Sequence, residues 1–267
     1  MSNDLAPTPE LQTLVEQLGS WDSCRAAEMA LALRGEAGIA AAIWGLSHPN
    51  VRVRGGCAAF MDHHGTDACF EPLQQVALHD PAPSVRRMAV HSATCQECKA
   101  CPLTGDLIGL LIEVALRDPN RRIRLHALWG MHRPQDPRAV AALKRILREA
   151  DPELQIAAYH ALVSQDPTYQ GDAIGLHIQV ALSGAHKSER LKALLGLRRL
   201  PPDPRARAAL SQILHTEADP RLRSSAHHAL KHQDPSYKAA WNAQARERGM
   251  VAERHKKRVL NRGMPKD

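Results

Sequence analysis

Aliphatic and small residues recur at three- and four-residue intervals along most of this chain. DPELQIAAYHAL, from Asp151, and DPRLRSSAHHAL, from Asp219, repeat the same arrangement. DPAPSVRRMAVHSA at Asp80 and DPNRRIRLHALWGM at Asp118 are close variants, and HPNVRVRGGCAA at His48 is a looser one. Each spacing puts the aliphatic and small groups on one face of a helix. Between them lie Leu-rich amphipathic stretches, such as AVAALKRIL (139–147) and ARAALSQIL (206–214). No period-two pattern of useful length predicts a strand.

Asp-Pro punctuates the pattern. It occurs at Asp80, Asp118, Asp136, Asp151, Asp166, Asp203, Asp219 and Asp234. An aspartate accepts from the unpaired first amides of a helix, and proline suits the position after it. Each Asp-Pro therefore predicts a helix start. One series runs Asp118, Asp151, an imperfect member near Ala185, and Asp219, in steps of 33, 34 and 34 residues. The other runs Asp136, Asp166, Asp203 and Asp234. The unit is two helices in about 34 residues, within the range of helical solenoids.

The pattern Asp-Pro-x-aliphatic-Arg-x-x-Ala-x-x-Ala-Leu resembles the HEAT repeat, over roughly residues 48–240. Asp219–Leu230 fits it closely, while Asp151–Leu162 has Gln155 in place of the arginine. Ala185–Leu197 lacks Asp-Pro and carries Glu189 at the aliphatic position. The resemblance implies an all-α fold, a right-handed α-solenoid of about six two-helix HEAT-like repeats. The expected division is an N-terminal cap or degenerate repeat (1–47), the repeats (48–243) and a basic tail (244–267). It also implies a scaffold or adaptor that binds another protein, since fold alone names no chemistry.

Composition changes this picture little. Aromatics are 3% of 267 residues, which suits closely packed Ala- and Leu-rich helices. The net charge of +7 is concentrated at one end. Residues 244–267 hold eight Lys or Arg against three Asp or Glu, leaving twenty-seven against twenty-five elsewhere. No run approaches the roughly 18–20 apolar residues of a membrane span. MSNDLAPTPE has no secretory pattern, so a cytoplasmic location is expected, where thiols stay reduced.

The cysteines supply the candidate chemistry. Cys95, Cys98 and Cys101 lie in HSATCQECKACPLTG, where the repeat is longer than its neighbours. The expected position is an enlarged interhelical turn. Aligning Val51 with Val85 puts His64 opposite Cys98. Two sulfurs at Cys-x-x-Cys spacing can reach one ion, and zinc takes four thiolate or imidazole ligands in a structural site. The expected zinc ligands are Cys95, Cys98, Cys101 and His64, with His63, His91 and Cys69 as alternates and Asp62 orienting an imidazole. A redox dithiol, an iron–sulfur cluster and three metal-free cysteines stay open, although the spacing lacks the usual cluster intervals. Cys24 and Cys57 are expected to be buried small hydrophobes.

Two other function classes compete. Arg52, Arg54, Arg86, Arg87, Arg121, Arg122 and Arg124 recur at helix starts and suit a phosphate-binding stripe. They equally suit a structural Arg–Asp ladder. The basic tail, with His-Lys-Lys-Arg at 255–258 and a Glu253–Lys257 pair, is a second route to nucleic acid. A HEAT-type enzyme, bilin-lyase-like or metal- or redox-dependent, is the remaining alternative. The deoxyhypusine hydroxylase type would need His-Glu pairs, and no His-Glu dipeptide occurs. Glu97 and Lys99 near the cysteines are too few to name a reaction. Trp44 and Trp129 are expected to fill the core.

Overall fold

The computed structural model describes residues 6–98, 101–132 and 136–262, with side chains as far as 249. Lys99 and the side chains of the Glu253–Lys257 pair and the 255–258 basic run lie outside the described residues. Among the described residues every regular element is helical, as an α-solenoid requires, and no helix is long and apolar enough to cross a membrane. The chain divides into two compact units, 1–169 and 170–267.

Among the described residues the first unit holds ten α-helices: α1 (Pro9–Gln17), α2 (Cys24–Ala32), α3 (Glu36–Gly45), α4 (Val51–His64), α5 (Phe70–His79), α6 (Pro83–Thr94), α7 (Leu107–Arg117), α8 (Arg121–Gly130), α9 (Pro137–Ile146) and α10 (Pro152–Gln165). Successive pairs α5/α6, α7/α8 and α9/α10 pack as antiparallel hairpins. They stack so that α4, α6, α8 and α10 form one layer and α5, α7 and α9 the other. Val53, Val85, Ile123 and Leu154, each the third residue of its helix, are buried and form one file of the core. Small residues permit the close approach. A Cβ on Gly45 would fall 2.5 Å from Cys57 Sγ.

The second unit repeats the plan with α11 (Ala173–Ser183), α12 (Lys187–Arg199), α13 (Pro204–Thr216), α14 (Pro220–Gln233) and α15 (Pro235–Arg262). Helices α12 and α14 pack together, as do α11 and α13, and α15 lies against α14.

Asp-Pro starts helices in most places. Asp136, Asp151, Asp203 and Asp219 cap α9, α10, α13 and α14, and Asp234 accepts from the first amides of α15. Asp80 and Asp118 stand further back, bonding Ala82 and Asn120 in short turns before α6 and α8. Asp166 opens a turn instead, and the next helix is capped by Asp172.

The fourth residue of each α4-type helix forms a ladder. Arg54 gives Nη1 to the carbonyls of His48 and Pro49, and its Nε and Nη2 hold the Asp80 carboxylate at 2.6 and 3.1 Å. Arg86 does the same with Asp80 and Pro81 behind it and Asp118 ahead, at 2.8 and 3.1 Å. Arg124 reaches Glu149, and in the second unit Arg190 reaches Glu217. At the last such helix of the first unit Gln155 keeps only the backbone bonds, to Leu147 and Glu149. Arg121 adds a pair to Asp151. Four of the seven arginines of the expected phosphate stripe are thus neutralised by carboxylates.

Both tryptophans expected in the core are exposed. Helix α8 buries Ile123, Ala127 and Leu128, which leaves Trp129 on the rim, stacked on His132 at 5.4 Å. Trp44 is likewise exposed at the end of α3. Cys57 is fully buried as expected, and burial pushes its thiol up to about 12. Cys24 is only half-buried, at the first turn of α2.

Candidate metal centre

The turn between α6 and α7 spans residues 95–106, against 131–136 and 166–172 at the corresponding places further along. Its return half is anchored. Leu103 enters the core, Thr104 N donates to Asp67 Oδ1 at 2.8 Å, and Gly105 lies flat on the Phe70 ring. A Cβ on Gly105 would be 2.1 Å from Phe70 Cδ1, so this contact needs glycine. The outgoing half carries the cysteines. His91 occupies the last turn of α6, and Cys95 ends that helix, its amide bonded to the His91 carbonyl at 2.8 Å. Cys98 follows three residues later on the surface.

Four groups converge there. One ligand atom each from Asp62, His91, Cys95 and Cys98 lies within 4.8 Å of every other. His91 Nε2 is 3.3 Å from Asp62 Oδ2. Metal–ligand lengths of about 2.0–2.3 Å in a tetrahedron imply ligand separations of about 3.3–3.8 Å, so a shift of about 1 Å in the thiols would complete the shell. Asp62 comes from the last turn of α4, next to α6, and is buried although acidic. The Cys98 thiol is pushed up to about 11, first by its bond with Cys95, then by desolvation and the nearby Asp62 charge. The Cys98 thiol therefore resists ionisation by itself, and a divalent cation beside it would reverse that balance. Behind His91 stands His126, its ring 5.7 Å away, held below the ordinary histidine range by burial and by the charges of His91 and Arg87.

The other expected ligands lie elsewhere. His64 Nε2 faces Glu28 Oε1 at 3.2 Å. His63 Nε2 is 3.8 Å from Asp62 Oδ2, on the edge of the group but outside it. Cys69 is fully buried in the short 3-10 turn before α5, and Cys101 is exposed and outside the group. The difference has a simple origin. Val51 is 41% exposed, and Val53, at 2%, is the true counterpart of Val85, at 1%. The two-residue correction moves His64 from opposite Cys98 to opposite Gln96 and places Asp62 opposite Thr94, beside Cys95. Asp62, expected only to orient an imidazole, is itself one of the four.

The donor set is two thiols, one imidazole and one carboxylate. Thiolates suit zinc, copper(I) and iron–sulfur chemistry, while imidazole and carboxylate favour a borderline divalent ion. Zinc fits all four.

The repeat architecture has a counterpart among known families: residues 108–172 match the family described as HEAT repeats. Over that segment the chain is built of HEAT repeats. The matched HEAT segment runs from α7 into the start of α11's cap and includes the Arg124 and Gln155 positions. Among solved structures the chain is similar to an archaeal HEAT-like repeats protein from Thermococcus onnurineus NA1, at 13% identity and a TM-score of 0.48, over 88% of this chain and 99% of that one. It is similar to an engineered protein at 17% identity and a TM-score of 0.28, over 85% and 98%. No curated protein matches the sequence.

Proposed function

We propose that this HEAT-repeat protein is a scaffold that binds another protein, and that one zinc ion clasps its enlarged turn through Asp62, His91, Cys95 and Cys98. The observation that carries the clasp is the meeting of these four side chains, from two adjacent helices and one long turn. The ion's role is structural. It ties the free half of the 95–106 turn to α4, as Leu103 and Thr104 tie the other half to the core. Two thiolates, a carboxylate and an imidazole more than balance a divalent charge, leaving about one negative charge, and four protein donors leave no open position for substrate. A reducing compartment such as the cytoplasm keeps both thiols available.

Protein binding is supported by the fate of the arginines. Phosphate contact needs unpaired cations, and the ladder ties Arg54, Arg86, Arg121 and Arg124 to carboxylates. What remains is a series of helix faces on a firm frame, which suits recognition of a protein surface. The test is cross-linking in cells followed by nuclease treatment and denaturing purification. A protein partner joined in stoichiometric yield and resistant to nuclease is expected. Recovery of nucleic acid alone would contradict the scaffold.

A further inference from the structure

In the second unit α13, α14 and the start of α15 enclose a groove of about 750 Å³. Its floor includes Leu214 and Leu230, and one wall is Tyr237 and Trp241. His227 joins that wall, with Nδ1 2.7 Å from the Tyr237 hydroxyl and its ring 4.1 Å from Trp241. Lys231 and Arg248 sit over the Trp241 ring at 4.9 and 5.7 Å. Arg207 and Arg223 line the other side. The acidic lining group, Asp234, is engaged with Ser236 and Tyr237 at the start of α15.

Arg223 is the ladder position that follows Arg190. It is the fourth residue of α14, as Arg54 and Arg86 are of α4 and α6. Its Nη1 donates to the carbonyls of Glu217 and Ala218, both at 2.7 Å, six and five residues back. Arg54 and Arg86 are held by carbonyls at those same offsets. In both, the Nε–Nη2 edge then grips an aspartate of the next unit. Arg223 has no ion pair among the described residues. Among them the fork is oriented but open, and Arg223 lines the groove.

We propose that this groove binds an acidic segment of another protein, with a carboxylate on the Arg223 fork where Asp80 and Asp118 sit on Arg54 and Arg86, and an apolar side chain on the Leu214–Leu230 floor. This rests on the scaffold reading and names its partner class. The occupant is argued from the chain itself, which fills the same fork twice with an aspartate. Two arginines line the groove against one engaged carboxylate, and Lys231 and Arg248 stand over the Trp241 ring beside it, which gives the matching charge. A bidentate arginine–carboxylate pair adds directional selectivity that a point charge lacks. The leucine floor suits a peptide side chain better than a phosphate backbone.

The test uses the full chain and a short fluorescein-labelled peptide of alternating aspartate and leucine, read by anisotropy. Its asparagine counterpart and a single-stranded DNA of equal length are run beside it. The variant is Arg223→Gln, because Gln155 shows that glutamine keeps two backbone bonds at this helix position. The aspartate peptide should bind, the asparagine peptide should not, and Arg223→Gln should weaken binding about tenfold or more. Thermal unfolding of the variant should match the wild type. If the variant unfolds early, the aspartate–asparagine difference on the wild-type chain still decides the matter. No preference for aspartate, or binding indifferent to Arg223→Gln, overturns the proposal. So does tighter binding of DNA, or self-association that the variant abolishes. Partner cross-linking that persists in Arg223→Gln would place the scaffold's contact elsewhere and leave the scaffold itself standing.

Discussion

Asp118→Asn should destabilise the first unit far more than Asp106→Asn, although each removes one carboxylate from an arginine. Arg86 and Asp118 have side chains 7% and 3% exposed, joined by two bonds. Removing one charge from such a pair strands the other away from water, a loss of about 3–5 kcal/mol. Asparagine still offers one acceptor, so about 3 kcal/mol is expected. Arg138 and Asp106 are also joined by two bonds, both 2.8 Å, but are 56% and 53% exposed. Asp106 and Asp136 raise the Arg138 pKa, yet water screens the pair and its loss should cost under about 1 kcal/mol. Urea unfolding followed by tryptophan fluorescence suits the comparison, since Trp21, Trp44 and Trp129 all lie in the first unit. With a slope of about 2 kcal/mol per molar, Asp118→Asn should lower the midpoint by about 1.5 M and Asp106→Asn by less than about 0.5 M. Equal shifts would refute the reasoning that burial, and not bond count, sets the strength of this ladder.

Three further outcomes follow from single sites. Gly105→Ala should loosen the turn by about 1–3 kcal/mol, because its methyl would meet the Phe70 ring, and faster amide exchange at Thr104 would register it. In the second unit Asp172 and Asp203 are held below the usual carboxylate range, first by their bonds to Arg205. Their stabilisation is present above about pH 4 and lost as pH falls through the lower folded values, so Asp172→Asn should flatten the decline of Tm below about pH 4. His177 is buried and held below the ordinary histidine value by desolvation, against a smaller opposing effect of its bond to the Ala173 carbonyl. Stability should therefore fall as pH drops below about 6.5 through the folded value, and His177→Phe should remove that part of the slope.

Much of the fold is legible because periodicity and capping act locally. The Leu154 and Leu222 faces and the Asp151 and Asp219 caps appear in the structure as their spacing implies. Asp166 shows the limit: its carboxylate served a turn with Thr168, and nothing local distinguishes that use from a cap. The candidate group was legible in part. Cys95, Cys98 and the enlarged turn follow from the sequence, but their partner across the helix layer depends on register. Choosing Val51 over Val53 as the first buried aliphatic displaced the alignment by two residues and favoured His64 over Asp62. Cys101 looked equivalent to its two neighbours because spacing cannot tell which way a turn leaves the surface. The open Arg223 fork was hidden for another reason. The sequence shows the repeated arginine, whereas its lack of an ion pair among the described residues is seen only against the filled rungs before it.

The clasp is tested most directly by counting zinc in protein purified reduced and without chelator, in the wild type and four variants. About one zinc per chain is expected, lost in Cys98→Ser and Asp62→Asn and kept in Cys101→Ser and His64→Ala. No zinc in the wild type, or zinc that depends on Cys101 and His64 but not on Asp62, would contradict the site described.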